Sequence, residues 1–524
     1  MLSTVKIAFL ILFLIGSLMI CSSNLSFSNE KSLLDRDGKL WEFIEWSLDN
    51  QLFSGNPYDL VATVTFEHRG SQETRTTGMF YDGDGTWKFR FTGTRTGMWD
   101  FTTECDDPDL DNKTGTISIA TNPGVLGFVT SFGNKWGRLG TDEAFVPQFV
   151  MYEDPKGYFD NPEKVDTAIQ TFMVEHGFSG FHTTVQNSWF DIYHSRSDDI
   201  DAPNPDGRTF EAIELLISKV QAAGGIVHIW VWGDEERRLT QVKWGINGFE
   251  DKRLQRYIAA RLGPLPGWTM GYGFDLFEWV TGDQLTEWHD YMQSHLGWQH
   301  YLGARSSTNS LSQLSEAMDY SSYEQHKPDY DTYVETIEAR RSKPSFSEDR
   351  FRITESGGGM NYDMEEIRRG FWHSTMAGGV ANIWGNKVGS SGDFSVPYPN
   401  PEQIKSWSLF FKSRFLKDMT RSNRLTDGVA LKRPTNAHYV LYKEDASSIQ
   451  LNLSEMAGSQ SAVAIDTKLS YAEIDLGRLN PIDQVWNAPY KSDWAIAVGD
   501  FSTGALPDRV PPAPPIKIRV SPDL

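Results

Sequence analysis

The chain has 524 residues and a formal net charge of −21 at neutral pH, so its length predicts about three domains. Hydrophobic residues make up 39% and charged residues 23%, which excludes a disordered polyanion and a helical membrane bundle. With only Cys21 and Cys105, a disulfide framework and a cysteine-based metal site are excluded as well. The acidity argues against nucleic acid as a partner, because phosphate binding needs a basic surface.

The first residues have the pattern of a secretory signal peptide. The fourteen-residue apolar run Ile7–Ile20 is short for a membrane span but typical of a signal-peptide core. Small residues in Ser26-Phe27-Ser28 suit cleavage, so we assign residues 1–28 to the signal and expect a secreted or periplasmic protein without a membrane span. A single-pass anchor and lipidation at Cys21 are the alternatives. The large residue before that cysteine disfavours lipidation.

Residues 39–120 predict a small antiparallel β-sandwich of the Ig-like kind. Tyr58–Phe66 is apolar with partial alternation, and Trp87–Phe91 and Thr116–Ile119 alternate strictly between apolar and polar residues. The segments between these runs are rich in Gly, Asp, Asn and Pro, which favour turns. Short strands joined by such turns are typical of sandwiches.

From about residue 125 to residue 420, short apolar runs alternate with amphipathic stretches such as Phe210–Ala223. Eight runs are strand candidates: Phe145–Met151, Gly180–Thr184, Gly225–Trp232, Trp268–Gly273, Tyr301–Arg305, Met318–Ser321, Lys343–Glu348 and Gly379–Trp384. Seven steps from Met151 to Trp384 cover 233 residues, about 33 each, which is the size of a strand-and-helix unit. We therefore predict an α/β fold with a (β/α)8 TIM barrel at 125–420, and a doubly wound open sheet is the alternative. The short step between the fifth and sixth strands fits this pattern least well.

Strand patterns return in residues 421–524 and predict a C-terminal β-sandwich. Ala437–Tyr442 and Trp494–Val498 are two of its strand candidates, and the Pro-rich stretch 507–515 is expected to be extended. The predicted order is therefore a signal peptide, an N-terminal sandwich, a barrel and a C-terminal sandwich.

The active site of a TIM barrel lies at the carboxyl ends of its strands, so the polar residues that follow each apolar run are the candidates. These positions are rich in carboxylates, Trp, Tyr and amides, and no phosphate-binding glycine loop or G-x-S-x-G motif occurs. Aromatic faces stack on sugar rings, and paired carboxylates perform glycoside hydrolysis. No H-E-x-x-H motif occurs either, so we expect neither a metal nor another cofactor.

The predicted barrel resembles the apiosidase-like glycoside hydrolases in two segments. Residues 363–385 resemble the last helix and eighth strand of those barrels, and Lys343-Pro344 with Glu348 resembles the strand that carries their nucleophile. The front segment resembles the Ig-like domain of unknown function often found ahead of such barrels, and the last segment resembles a collagen-binding-type sandwich. The resemblance implies a glycoside hydrolase with Glu348 as its nucleophile.

The fourth strand departs from this family. Relatives end it with Trp, two apolar residues, small residues and the catalytic acid, whereas the run from Trp268 extends two residues further before Asp275. We assign the general acid/base to Asp275 with Glu278 as the second candidate, and the alternative is that both acids cap the following helix. Glu355 is the competitor for the nucleophile, and a structural ion pair is the alternative role of Glu348.

The remaining candidates are expected to bind substrate. They are aromatic, histidine and arginine residues near the predicted strand ends: His182, Trp189, Trp232, Trp279, Arg305, Tyr320, Tyr323, His326, Arg350 and Trp384. Tyr320 would also brace the nucleophile, and Arg305 and Arg350 would bind a carboxylate or sulfate on a sugar. Structural packing is the alternative for the histidines and for Trp384. The acidic run 234–236 is expected to form a solvated loop, with sugar or cation binding as the alternative.

The sequence thus predicts a secreted glycoside hydrolase that cleaves O-glycosidic bonds in a polysaccharide or oligosaccharide. Retention of configuration is the preferred outcome and needs the two carboxyl groups about 5–5.5 Å apart, whereas inversion needs about 6.5–9.5 Å. A glycan-binding protein without catalysis and a polysaccharide lyase are the alternatives. The first needs no acid pair, and the second needs a Tyr or His base with an arginine that neutralises a uronate.

Overall fold

The computed structural model describes residues 32–193, 204–233, 244–305, 311, 313–324, 327–354, 361–387 and 394–501, apart from the side chains of residues 350, 386 and 387. The fold is a mixed α/β arrangement with parallel and antiparallel sheets. The predicted signal peptide and the Pro-rich tail lie outside the described residues. No described helix combines the length and the apolarity that crossing a bilayer requires.

The front of the chain forms two packed sheets. Their strands are β1 (Arg36–Lys39), β2 (Phe43–Asp49), β3 (Ala62–His68), β4 (Thr74–Gly78), β5 (Phe80–Tyr81), β6 (Thr86–Thr92), β7 (Gly97–Cys105) and β8 (Thr114–Ala120). The sheet orders are β1-β8-β7-β3-β4 and β2-β6-β5. Apolar residues that alternate along β2, β3 and β6 face each other across the two sheets. Phe66 of β3 and Phe91 of β6 stack there with their centroids 4.4 Å apart.

A small antiparallel sheet, β11-β10-β9, follows and comprises β9 (Val129–Phe132), β10 (Lys135–Arg138) and β11 (Glu143–Phe145). The sequence predicts one strand over Phe145–Met151, whereas the structure has β11 and a separate strand that begins at Gln148. Pro147 interrupts that run, because proline has no N–H for a strand ladder. Trp136 of this sheet donates its indole N–H to the Ser345 carbonyl, 3.1 Å away, and so attaches the small sheet to the central sheet.

The central sheet has the order β16-β15-β14-β13-β12-β20-β18-β17, and every pairing along this path is parallel. Its strands are β12 (Gln148–Met151), β13 (Gly180–Thr184), β14 (Ile226–Trp230), β15 (Trp268–Gly271), β16 (Leu302–Gly303), β17 (Ser321–Tyr323), β18 (Ser345–Ile353) and β20 (Val380–Lys387), with β19 (Asn361–Tyr362) paired to β18. Each of the eight predicted runs overlaps one strand of this path. Next to β17, the Asp319 N–H donates to the Leu302 carbonyl over 2.9 Å, which links the two ends of the path.

Alternation along these strands divides the side chains between two faces. The inner face carries Phe149, Ile226, Trp230, Tyr320 and Phe346, which form one buried cluster. The sheet curves until β14 and the segment before β17 meet, since the nearest ring nitrogen of His228 lies 3.3 Å from the Tyr320 hydroxyl. The outer face packs against the helices.

The helices lie between the parallel strands and after the last of them. They are α1 (Pro155–Asp160), α2 (Glu163–Ala168), α3 (Gly207–Ala222), α4 (Phe249–Leu262), α5 (Gly282–Leu296), α6 (Tyr330–Ala339), α7 (Met364–Met376) and α8 (Pro401–Phe411), with a π-helical segment at Ile169–His176. Asp206 caps α3 through its side chain, and α5 and α7 begin with capping boxes at Thr281 and Asp363. Such caps satisfy backbone N–H groups that the helix itself leaves unpaired.

The last strands form one six-stranded antiparallel sheet in the order β21-β22-β23-β26-β24-β25. They are β21 (Thr420–Arg421), β22 (Val429–Lys432), β23 (Tyr439–Asn452), β24 (Gln460–Asp466), β25 (Ile474–Leu479) and β26 (Asp483–Val498). Register shifts between Lys443 and Ser448 let β23 bend. Where two facing sheets were expected, the described strands therefore follow a single bent path.

A buried ionic network joins β6 to helices α3 and α4. Glu214 of α3 lies 2.9 Å from Arg90 and 2.6 Å from Arg261. Burial raises the pKa of Glu214, but the two guanidinium groups lower it more and bring it to about 2. Glu45 also contacts Arg90 and Asp82 also contacts Arg261, but Glu214 is the carboxylate that the two buried cations share.

We expect Glu214→Gln to lower the free energy of unfolding at neutral pH by about 3 kcal/mol, because it removes the buried negative charge that two buried guanidinium groups share. Chemical denaturation measures the change. Since the pKa of Glu214 lies below its ordinary 4.5, the wild type loses this contribution as the pH falls from about 4.5 to about 2, and the variant does not. Glu211→Gln, at an exposed position one turn earlier on α3, is the control and should cost less than about 0.5 kcal/mol. Equal losses in the two variants would contradict this role.

Candidate active site

Glu348 lies at the carboxyl end of the central sheet, within a bulge of β18. The pairing of β18 with β20 shifts its register between Ser347 and Arg350. Such a bulge changes the direction of side chains next to it. The Glu348 side chain is fully buried, so its carboxylate needs protein partners.

Three side chains contact the Glu348 carboxylate. The Tyr320 hydroxyl donates to Oε1 over 2.5 Å, and the Ser322 hydroxyl donates to Oε2 over 2.7 Å. Nε2 of His228 lies 3.0 Å from Oε1. Both carboxylate oxygens are thus held, by groups from two different strand regions.

These contacts determine the charge of Glu348. Burial alone would raise the pKa of this carboxyl group, but His228, Tyr320 and Ser322 more than offset the effect, and the pKa lies below its ordinary value. Glu348 is therefore a buried carboxylate that is ionised at neutral pH. Burial and the charge of Glu348 raise the pKa of Tyr320 well above its ordinary value, so that hydroxyl keeps its proton.

His182 lies behind this cluster and reaches Glu348 through His228. The two Nδ1 atoms are 2.9 Å apart, and one of them must donate while the other accepts. His228 faces Glu348 through Nε2 and His182 through Nδ1, so the two imidazole rings and the carboxylate form one chain of contacts. His182, which was expected to contact substrate, is thus placed to orient His228.

Arg305 follows β16 and contacts residues at or near the ends of β15, β17 and β18. Its guanidinium lies 2.5 Å from Asp275 and 3.0 Å from Glu324, and it donates to the Glu348 carbonyl over 3.3 Å. The side chain of Asp349 is 4.0 Å away. Arg305 was expected to bind an anionic sugar group, but its guanidinium is occupied by carboxylates of the protein itself.

Asp275 and Glu278, the two candidates for the acid/base, have different surroundings. Asp275 has a left-handed backbone (φ 53°) at the start of the short 3₁₀ turn Leu276–Glu278, where its side chain makes no capping bond. The capping alternative does not hold for Asp275, because this carboxylate turns to Arg305. Glu278 ends the turn with an exposed side chain. The structure thus connects Asp275 with the backbone of Glu348 through one guanidinium group.

Gly271 occupies the inner position of β15 beside Glu348. A Cβ atom on Gly271 would lie 2.8 Å from Glu348 Oε1 and 2.8 Å from Cδ1 of Trp230. A larger residue would displace one of these groups. The missing side chain at Gly271 is therefore a condition for the packing around the carboxylate.

Two aromatic candidates face away from this cluster, because side chains alternate along a strand. Trp384 stacks on Phe371 of α7 with the centroids 4.3 Å apart and donates its N–H to Gln148 over 2.7 Å. Tyr323 belongs to a separate buried cluster with Tyr333 of α6. Their positions along the strands were anticipated, but the face on which they lie was not.

Three further tryptophan candidates lie beyond the strand ends. Trp189 donates its N–H to the Val231 carbonyl over 3.0 Å, and Trp232 stacks on Phe190 at 6.2 Å. Both are buried. Trp279 is partly exposed and lies 5.8 Å from the Tyr272 ring. The described contacts of these three tryptophans do not include the residues around Glu348. Their role in substrate binding stays a prediction.

Some predicted positions lie outside the described residues: His326, Glu355 and the acidic run 234–236. The backbone of Arg350 belongs to β18, but its side chain is not among those described. Where the structure does describe the chain, it contains no group of three or more His, Cys, Asp or Glu residues that would hold a metal ion.

Sequence reasoning missed three residues of the site, namely His228, Ser322 and Gly271. Each lies on the inner face, and Ser322 lies two residues after Tyr320. If the inward-facing positions are assigned along every strand by alternation, all three residues are indicated. The predicted candidates are the polar residues that follow each apolar run, whereas these three residues lie within a strand or at its end.

A family model matches part of the chain, and solved structures match its overall fold. A model described as a domain of unknown function (DUF5060) matches residues 38–106. No curated protein matches the sequence. A solved structure from Bacteroides vulgatus, described as a candidate glycoside hydrolase, is 14% identical with a TM-score of 0.70 and covers 89% of this chain and 99% of its own.

Two other solved structures are similar over the same kind of fold. A glycoside hydrolase family 5 protein from Bacteroides vulgatus is 13% identical with a TM-score of 0.54, over 72% of this chain and 94% of its own. A structure named glycoside hydrolase is 13% identical with a TM-score of 0.53, over 72% of this chain and 97% of its own. At these identities the likeness is one of fold.

We expect Tyr320→Phe to destabilise the fold by about 1.5–3 kcal/mol at neutral pH, because it removes a hydrogen bond to a buried charge. Since the pKa of Glu348 lies below its ordinary value, the loss should be full at neutral pH and shrink as the pH falls below about 4.5. Urea unfolding at several pH values measures it. Tyr323→Phe, three residues later on the opposite face, is the control and should cost less than about 1 kcal/mol. A pH-independent loss in Tyr320→Phe would contradict the charged state of Glu348.

Proposed function

We propose that this protein is an exported glycoside hydrolase that cleaves O-glycosidic bonds in a polysaccharide or oligosaccharide. The observation that carries the proposal is the buried carboxylate of Glu348, which three neighbours keep ionised. A carboxylate of this kind is suited to attack the anomeric carbon of a sugar. The similar folds of solved glycoside hydrolases support the same conclusion.

The proposal includes a closed (β/α)8 barrel between an N-terminal and a C-terminal β-domain. The parallel order of eight strands supports the closure, as does the hydrogen bond from Asp319 to Leu302 between its ends. The contact between His228 and Tyr320 across the inner face supports it as well. In such a barrel the catalytic groups come from the carboxyl ends of different strands.

In the first chemical step, Glu348 forms a bond to the anomeric carbon while the glycosidic C–O bond breaks. Asp275 protonates the departing oxygen at the same time, so the leaving group departs as an alcohol. In the second step, Asp275 takes a proton from water, and the water oxygen displaces Glu348. Two displacements at one carbon give retention of configuration.

Arg305 links the segments that carry the two proposed catalytic residues. It contacts the Asp275 carboxylate and the Glu348 backbone carbonyl, so it fixes both segments relative to each other. A catalytic pair must be held within a fraction of an ångström of its working geometry. Arg305 acts here as a positioning residue.

Neither alternative function is favoured by a specific observation. A lyase would use a Tyr or His base, but the pKa of Tyr320 is raised well above its ordinary value, which makes it a poor base at neutral pH. A lyase would also neutralise a uronate with an arginine, and Arg305 is occupied. A protein that only binds glycans would gain nothing from an ionised carboxylate at this burial, which costs free energy to desolvate.

We expect Glu348→Gln to lose about a thousandfold or more of the hydrolytic rate while it still binds glycan. A screen of aryl glycosides and plant, algal and bacterial polysaccharides identifies the substrate, and reducing-sugar release with affinity electrophoresis measures both properties. Glu335→Gln, at an exposed position of α6, makes the same chemical change and should keep wild-type activity. An unsaturated product that absorbs in the ultraviolet would identify a lyase and refute hydrolysis.

The acid/base is tested by the dependence on the leaving group. Asp275→Asn should slow glycosides with poor leaving groups by about 10²- to 10⁴-fold and activated aryl glycosides much less, because only the former need protonation. Glu278→Gln, compared on the same substrates by steady-state kinetics, should show no such dependence. The reverse pattern would assign the acid/base to Glu278.

A further inference from the structure

Trp230 has a buried hydrogen-bond donor without a partner among the described residues. The side chain is 3% exposed, and its Nε1 atom makes no hydrogen bond there. Buried N–H groups are nearly always paired, since leaving one unpaired costs free energy. An exception of this kind needs an explanation, and it stands at the end of β14.

The indole ring is held firmly in place. His182 packs edge-on against it with the centroids 4.3 Å apart, and Phe274 packs at 4.9 Å. Trp230 also lies two residues after His228, on the same inner face of β14. The direction of its N–H is therefore set by packing before any ligand binds.

The geometry at Gly271 sets an upper limit on the distance between this N–H and the Glu348 carboxylate. The position that a Cβ atom of Gly271 would occupy lies 3.1 Å from Trp230 Nε1 and 2.8 Å from Glu348 Oε1. The two atoms are thus no more than 5.9 Å apart. An oxygen that accepts from an N–H at about 2.9 Å and donates to a carboxylate at about 2.7 Å bridges a gap of this size.

We propose that the indole N–H of Trp230 donates to a free hydroxyl of the sugar ring that Glu348 attacks. The proposal rests on the proposed hydrolase function and goes beyond it by assigning a substrate contact to Trp230. Because the same Glu348 carboxylate attacks the anomeric carbon, a hydroxyl that contacts both groups lies on the ring carbon next to the anomeric carbon. The ligand class is a sugar unit with an unsubstituted hydroxyl at this position.

A sugar of this class would satisfy the unpaired donor. A hydroxyl accepts from Trp230 and donates to Glu348 in one geometry, whereas a methoxy group has no proton for the carboxylate and a deoxy position offers neither. A site built for a hydroxyl discriminates strongly against analogues that lack it, because its polar groups then stay unpaired. Substrates that lack or mask this hydroxyl are therefore expected to be poor.

The test compares Trp230→Phe with the wild type on the aryl glycoside that the wild type hydrolyses fastest and on its 2-deoxy analogue. We expect the variant to lose about tenfold to a hundredfold in kcat/KM on the hydroxyl substrate and much less on the deoxy substrate. Trp136→Phe removes a buried tryptophan of the same inner cluster whose N–H already has a partner, and it controls for packing losses. It should lose equally on both substrates.

A second readout does not depend on turnover. In a ¹⁵N-tryptophan spectrum, the indole signal of Trp230 is the one that is missing from Trp230→Phe. This signal should shift when the wild type is saturated with the sugar product of its own substrate. An equal loss on both substrates in Trp230→Phe, or an indole signal that does not move while product binds, would overturn the inference and leave the hydrolase proposal intact. A wild type that neither hydrolyses nor binds any glycan would refute the proposed function itself.

Discussion

The site depends on one buried negative charge. Glu348 has no access to solvent, and its carboxylate is stabilised only because Tyr320, Ser322 and His228 contact it from two other strand regions. A buried carboxylate without such partners would take up a proton instead of keeping its charge. The ionised state of Glu348 is therefore a property of the curved sheet as a whole, since no neighbour along the chain provides it.

The surrounding elements each contribute to this arrangement. The bulge in β18 directs Glu348 inward, and Gly271 leaves room beside its carboxylate. His182 holds His228 from behind, and Arg305 connects the Asp275 segment with the Glu348 backbone. The ion pairs around Glu214 stabilise the contact between β6 and the outer helices and do not touch this site. Buried charges thus stabilise the fold around Glu214, whereas around Glu348 they form the candidate active site.

The eight strand segments could be predicted from the sequence because buried parallel strands leave short apolar runs at regular intervals. Glu348 could be singled out for the same reason, since it ends one of these runs. The face of each residue was harder to assign. Trp384 lies at a strand end as expected, yet it packs outward on Phe371. Its orientation follows only from the pairing register of the neighbouring strands.

Contacts between distant segments could not be predicted. Nothing in the local sequence of Arg305 shows that Asp275 and Glu324 already occupy its guanidinium, because the three residues come together only through the pairing of different strands. Pro147 is a local sequence signal for the break between β11 and β12. Propensity indicates where elements lie, whereas tertiary packing decides which side chains meet.

The most direct test of the central claim is intact-mass spectrometry of the protein after incubation with activated 2-fluoro glycosides, followed by peptide mapping. Such compounds form the glycosyl-enzyme of a retaining hydrolase and release it slowly. We expect one glycosyl unit to be added, on the peptide that contains Glu348, and none in Glu348→Gln. Hydrolysis of the matching natural glycoside with no label on Glu348, or with the label on another carboxylate, would contradict the claim that this buried charge is the nucleophile.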